Sequence, residues 1–258
     1  MDKQERVNTI VSILKNKSGA SIKELSHQLD VTEMTVRRDI KYLKENKIVQ
    51  VVSGAVIYNG SDPNENKQDE YDLTTQKNNR ASEKYNIGKL AASLIEPNDI
   101  IFIDIGTTTA QIIEHIPSNR SVEFVCCSMN ALIEIHKKGF KDFILIGGHY
   151  RPELQMFESR EGLDLISRTR TTKAFISAAG VNAKLGITCT NSCEVDTKNA
   201  AIHCALEKIL VIDSSKFDTV KSTYFASLND FDAIVTDRGL SDEWIEKIKQ
   251  LDITLYLA

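Results

Sequence analysis

Apolar positions follow a helical period over residues 22–43 and then, past a polar interval, give way to helical stretches alternating with short continuous apolar runs. In the first part, Ile22, Leu25 and Leu29 share one helical face, and Val36, Ile40 and Leu43 share another. Ser21 followed three residues later by Glu24 is a capping-box pattern, which predicts a helix starting at Ile22. Asp30 ends that helix, because a short polar side chain can bond the local backbone, and Asp30 and Val31 form the turn. Thr32 then caps a second helix, with Glu33 at the positive end of its dipole. After Glu45-Asn46-Lys47, the runs IVQVV and AVIY flank Ser53-Gly54 and predict a small hairpin. Helix, tight turn, capped helix and hairpin, all within roughly forty residues, form the pattern of a winged helix-turn-helix.

Residues 59–80, NGSDPNENKQDEYDLTTQKNNR, are polar, almost free of branched apolar side chains and interrupted by Pro63, which predicts a connector. The expected organisation is therefore a small domain over 1–58, a connector over 59–80 and a large domain over 81–258. Within the large domain the predicted strands are Ile100–Ile105, Val122–Cys127, Phe143–Ile146, Ala174–Ser177, Ile209–Ile212, Ala233–Thr236 and Ile253–Leu257. Strands alternating with helices predict a doubly wound, mostly parallel α/β sheet, in which ligands lie beyond the carboxyl ends of the strands.

Composition and charge sharpen this division. A chain of 258 residues is long enough for a large core plus a small appendage. Residues 1–57 hold ten Lys and Arg against seven Asp and Glu, leaving −7 on the remainder of a chain whose net charge is −4. The positive balance belongs to the part expected to meet a polyanion, so its binding should be salt-sensitive. The opening Met1-Asp2-Lys3-Gln4-Glu5-Arg6 is polar and runs into an amphipathic helix, unlike a signal peptide, and the apolar runs are short for a membrane span. The expected location is cytoplasmic, with no membrane partner. Five cysteines without a CxxC pair are expected to be ordinary thiols. Cys189, Cys193 and Cys204 with His203 are not assigned a metal, and no cofactor is expected.

Candidate chemistry falls in two places. On the second helix, Thr32, Thr35, Arg37, Arg38 and Lys41 lie away from the apolar stripe, where guanidinium forks can grip phosphates or guanine edges. Lys47 and Gln50 at the hairpin are further phosphate contacts. In the large domain, Asp104 ends a strand, and Gly106, Thr107, Thr108 and Thr109 lead into a helix whose free N–H groups and dipole suit a phosphate. The alternative is a capped helix whose threonines satisfy only backbone groups. Neither a Walker lysine nor a GxGxxG is present. Other strand exits carry Ser128, Asn130, Gly147, Gly148, Gly180, Asn191, Glu194, Lys198, Asp213 and Lys216, a set suited to a small ligand that is both hydroxylated and phosphorylated.

With these residues in place, the chain resembles the DeoR family of bacterial transcriptional repressors over nearly its whole length. The matching blocks are VTEMTVRRDIKYL, DIGTTT, LIGG, FISAAGV to CTNSCEVDTK, and DSSKF. The resemblance implies a sensor domain similar to ribose-5-phosphate isomerase and the CoA-transferase fold. It also implies repression of a sugar or nucleoside catabolic operon, relieved by a phosphorylated sugar. It gives Thr35, Arg37 and Arg38 the recognition role, Gly106–Thr109 the phosphate loop, and Asp104, Glu194, Lys198 and Lys216 the polar pocket. Double-stranded operator DNA, the sugar phosphate and further copies of the chain, a dimer or higher, are the expected partners. YDLTTQK, VCCSMN and CTNSCEVDTK look like the deoxyribose branch of the family, which favours deoxyribose 5-phosphate. Two features depart from the family: the wing reads QVVSGAV in place of an Arg-x-His-Gly-Gly signature, and Gln76 stands where many members carry arginine. The competing expectation is a sugar-phosphate isomerase-like enzyme fused to a DNA-binding module, with Asp104, Glu194 or Asp213 as its base.

Overall fold

Two apolar stripes that converge on a third helix organise the N-terminal part. A computed structural model describes residues 3–16, 20–45, 49–52, 55–58 and 80–258, which divide into units spanning residues 1–69 and 70–258. In the first unit α1 (Lys3–Asn16), β1 (Ala20–Ser21), α2 (Ile22–Leu29), α3 (Glu33–Glu45), β2 (Val49–Val52) and β3 (Ala55–Tyr58) follow in order. Val7, Ile10 and Leu14 of α1 pack with Leu25 and Leu29 of α2 and with Val36, Ile40 and Leu43 of α3. The strands form an antiparallel sheet in the order β1-β3-β2, with Val49 and Val56 buried beneath it. An ion pair ties α1 to α3: Arg6 Nε lies 2.6 Å from Asp39 Oδ2, and Asp39 is buried. Lys47, Ser53-Gly54, Gln76 and the rest of the expected connector up to residue 79 lie outside the described residues, as does the side chain of Gln50.

The second unit runs α4 (Ala81–Ser93), β4 (Asp99–Ile103), α5 (Thr109–His115), β5 (Val122–Cys126), α6 (Met129–Lys137) and β6 (Phe143–Leu145). A hairpin of β7 (His149–Arg151) and β8 (Met156–Glu158) leads to α7 (Arg160–Arg168) and β9 (Thr171–Ile176). Then come β10 (Gly180–Asn182), β11 (Gly186–Cys189), α8 (Cys193–Cys204), β12 (Ala205–Val211), β13 (Thr223–Ala226), β14 (Ala233–Thr236), α9 (Asp242–Gln250) and β15 (Thr254–Leu257). Seven strands pair in parallel in the order β15-β14-β12-β9-β4-β5-β6, and these are the seven runs expected from the sequence. The inner strands carry largely apolar runs because both faces are covered, whereas the edge strands β6 and β15 are partly exposed. Ile101, Ile103, Phe124, Cys126, Phe175, Ile209 and Val211 join one core with α4, α5 and α6, whereas Phe102, Val125, Ala174, Ile176 and Leu210 join the other with α7, α8 and α9. A smaller antiparallel sheet, β10-β11-β13, stands apart.

The strand order reverses between β4 and β9. Chain connections from β4 proceed to β5 and β6 on one side, and those from β9 proceed to β12, β14 and β15 on the other. A crevice opens beyond the carboxyl ends at such a switch point, and it is where doubly wound sheets bind ligands. The residues that follow β4 and β9 are Asp104 and Ser177.

Candidate functional site

The exposed face of α3 is a product of how the helix is held. Thr32 caps it, its hydroxyl accepting from Thr35 N at 3.3 Å, and Asp30 turns the chain in the left-handed region at φ 51°. With Val36, Ile40 and Leu43 locked in the core, Arg37, Arg38 and Lys41 project outward and Thr35 is half-buried beside them. Arg37 has an exposed ion pair to Glu33 at 3.5 Å, worth little in water and readily exchanged for a phosphate.

At the sheet switch point, three expected residues meet. Lys198 of α8 is fully buried; its ammonium donates to Asp104 Oδ2 and to the Ser177 carbonyl at 3.0 Å, with Glu194 Oε2 at 3.5 Å. Asp104 also accepts from Ser177 N at 2.9 Å and Ser177 Oγ at 2.6 Å. Burial pulls the lysine's pKa down, but attraction to Asp104 and Glu194 more than reverses this and holds it above the ordinary lysine range. Burial pushes the Glu194 carboxyl up, only partly countered by Lys198. Gly106 fits here because a Cβ would lie 2.4 Å from Ser177 Cβ.

The following loop divides by role. Thr109 is buried and its hydroxyl donates to the Asp104 and Gly106 carbonyls, both at 2.8 Å, so it shapes the loop. Thr108 occupies the cap position of α5 without a side-chain capping bond. Thr107 and Asn130 line a cleft of about 500 Å³ between α5 and α6, opposite Gln111, Glu114 and Lys137. Six expected ligand contacts serve the scaffold as well or instead. Besides Thr109, Ser128 caps α6, accepting from Ala131 N at 3.2 Å. Gly148 turns at φ 138° against the Glu158 carbonyl, and Gly180 lies where a Cβ would meet the Thr219 carbonyl at 2.5 Å. Gly147 is exposed, and its carbonyl accepts from Ser159 Oγ at 2.9 Å. Asn191 sits on the turn before α8, its N–H donating to Glu194 Oε1 at 3.3 Å.

Asp213 and Lys216 belong to a second charged group, at the exits of β12 and β14. Arg80 reaches Asp213 Oδ1 and Asp237 Oδ2, each at 3.3 Å, and donates to Ser214 Oγ at 2.9 Å. Burial pushes the Asp237 carboxyl up, but bonds from Ser214 and Gly239, with Arg80 nearby, outweigh it and hold the group below the usual carboxylate range. Lys84 on α4 is buried; desolvation lowers its pKa, Asp213 opposes the shift, and Lys216 and Arg80 add to it. Arg80, Lys84 and Ser177 were not among the residues expected here. Lys84 had a visible signal: it shares a helical face with Ile87, Gly88 and Ala91, an odd place for an idle lysine.

The thiols are quiet. Burial pushes Cys126 and Cys189 up to about 12, and holds Cys127 well above the ordinary thiol range. Among the described residues no group of three or more His, Cys, Asp and Glu is arranged to hold a metal, and no helix is long and apolar enough to cross a membrane.

Residues 6–62 match the DeoR-like helix-turn-helix domain, and residues 79–238 match the DeoR C terminal sensor domain. The deoxyribose operon repressor of Escherichia coli (strain K12) is 31% identical over 244 residues, covering 95% of this chain and 94% of its own. The lactose phosphotransferase system repressor of Lactococcus lactis subsp. lactis is 29% identical over 253 residues, covering 97% of each. Among solved structures, ribose 5-phosphate isomerase A from Methanocaldococcus jannaschii aligns with a TM-score of 0.38 and 18% identity over 52% of this chain and 53% of its own. With both domain matches in chain order and full-length relatives at this identity, the chain belongs to the DeoR family of helix-turn-helix transcriptional repressors.

Proposed function

We propose that this protein represses a sugar or deoxyribonucleoside catabolic operon and releases its operator when a phosphorylated sugar binds the C-terminal unit. The observation that carries the proposal is the pairing, in one chain, of an outward Thr35-Arg37-Arg38-Lys41 face with an α/β unit whose strand exits are charged and partly buried. Arg38 and Arg37 grip bases or phosphates in the major groove, Thr32, Thr35 and Lys41 support them, and Lys47 and Gln50 contact the backbone from the wing. One recognition helix per chain reads one half-site, so two or more copies act together on an operator.

The effector occupies the carboxyl edge of the sheet. Gly106, Thr107 and Thr108 with Lys216 and Lys84 take the phosphate, and Asp104 and Glu194, positioned by Lys198, face the sugar. The names of the two relatives, a deoxyribose operon repressor and a lactose phosphotransferase system repressor, support a sugar-linked signal, and deoxyribose 5-phosphate is the first candidate. Sensing fits this site better than isomerase catalysis. A general base must be available to the substrate proton, whereas Asp104 Oδ2 already accepts from Lys198 and twice from Ser177, Glu194 Oε1 accepts from Asn191 N, and Asp213 Oδ1 accepts from Arg80 and Ser215.

A gel-shift on DNA upstream of the neighbouring operon, at fixed salt, with and without a panel of sugar phosphates, tests the proposal. Arg38→Ala should lose operator binding and keep effector binding, and Lys216→Ala should bind operator and resist release. Specific DNA binding that no sugar phosphate relieves would refute the sensing role.

A further inference from the structure

Five buried side-chain polar atoms have no hydrogen-bond partner among the described residues, and two belong to consecutive residues: Thr190 Oγ1 and Asn191 Nδ2. Both lie on the turn between β11 and α8, which delivers Glu194 and Lys198 to the switch point. Several backbone groups of this turn are paired. Asn191 N donates to Glu194 Oε1, Glu194 N donates to the Asn191 carbonyl at 3.2 Å, Cys189 Sγ donates to the same carbonyl, and Ser222 Oγ donates to the Thr190 carbonyl. A turn held by these bonds that still leaves one amide donor and one hydroxyl unpaired is costly unless something else completes it.

The chemistry of that partner follows from charge. Asp104, Glu194 and Lys198 together carry one negative charge when both carboxylates are ionised, with the lysine's charge already engaged by the first two. A phosphate is repelled there. Lys84 and Lys216 gather instead at the exit of β12, beside Asp213 and Arg80. A sugar hydroxyl is the complementary group at the switch point, since it can donate to a carboxylate and accept from an amide, and a threonine hydroxyl can do either.

We infer that Thr190 and Asn191 bind the hydroxylated, non-phosphate end of the effector and decide which sugar phosphate the protein answers to. The inference rests on the sugar-phosphate-sensing role proposed above. Sites built to hydrogen-bond a hydroxyl reject analogues lacking it far more strongly than apolar pockets do, so this turn is where pentose, deoxypentose and hexose phosphates are told apart.

The test is calorimetric titration of the full-length protein and its Thr190→Val and Asn191→Leu variants with deoxyribose 5-phosphate, ribose 5-phosphate, glucose 6-phosphate and inorganic phosphate. Each variant should lose roughly 10-fold in affinity for the best-bound sugar phosphate, as expected for one lost hydrogen bond. The preference among sugars should narrow, while inorganic phosphate binding and operator binding stay at the wild-type level. Lys216→Ala, by contrast, should weaken every phosphorylated ligand, inorganic phosphate included. Variants that bind all four ligands as the wild type does, or that lose inorganic phosphate and sugar phosphates equally, overturn the inference and leave the sensing role intact. A wild-type protein that binds none of the sugar phosphates overturns both.

Discussion

Replacing Lys198 by methionine separates the two things this residue does, packing and neutralising. Methionine keeps an unbranched apolar stem of similar length in a site where the lysine is 1% exposed, so the cavity stays filled. What vanishes is the only cation in contact with Asp104 and Glu194 among the described residues. Breaking a buried pair this way costs about 3–5 kcal/mol, because the remaining charges keep their desolvation penalty. Trp244, the single tryptophan of the chain, is buried with its ring 5.0 Å from Phe217, so its fluorescence in a urea titration reports the unfolding of this unit. With a slope of about 2 kcal/mol per molar urea, the midpoint should fall by about 1.5–2.5 M. The loss should also depend on pH. Burial already holds Glu194 above its unfolded value, and without the lysine to counter this the penalty is smallest below the unfolded pKa, grows between the two values and is complete above the folded one. Removing all three charges, as Asp104→Asn, Glu194→Gln and Lys198→Met together, should recover much of the loss. A loss under about 1 kcal/mol for the single variant at pH 8, or a triple variant no better than the single, would refute the reasoning.

Other perturbations address the remaining ion pairs. Arg6→Met strands the buried Asp39 and should destabilise the DNA-binding unit by about 3 kcal/mol; circular dichroism should show an early helical transition while the Trp244 signal stays in place. Arg80→Met removes the cation between Asp213 and Asp237, and a half-buried guanidinium sharing charged hydrogen bonds suggests a cost of about 1–2 kcal/mol. An unchanged Trp244 midpoint would mean Ser214 and Gly239 suffice. Burial pushes the Asp99 carboxyl up, but bonds from Lys173, Thr172 and Glu96 N hold it below the usual range. Its contribution is therefore complete above the unfolded carboxylate pKa and disappears as pH falls through the folded one. Asp99→Asn should be less stable than wild type at pH 6, and the gap should close toward pH 2.

Why some of this was legible in the sequence and some was not follows from the range of the interactions involved. The seven parallel strands were readable because burial in the sheet makes each a short, largely apolar run, a local property. Their starts were less so: β9 begins at Thr171 rather than Ala174, since Thr172 Oγ1 and Lys173 Nζ bond to Asp99 on β4, partners more than seventy positions away. The hairpin β7-β8 and the sheet β10-β11-β13 were missed for a related reason, as strands of three or four residues carry too few positions to show a period. Helix caps at Ser21 and Thr32 were found because both partners of each bond lie within one turn. In the C-terminal unit, the residues expected to meet an effector do lie at strand exits, because topology puts polar residues there whatever the ligand. Sequence could not show that Lys198 is consumed by Asp104 and Glu194, nor that Asp213 and Lys216 share their charge with Arg80 and Lys84. Residue type tells which charges exist, but the net charge that a ligand meets depends on which pairs have already neutralised one another, and that is decided by contacts between β4, β9 and α8 that no local window contains.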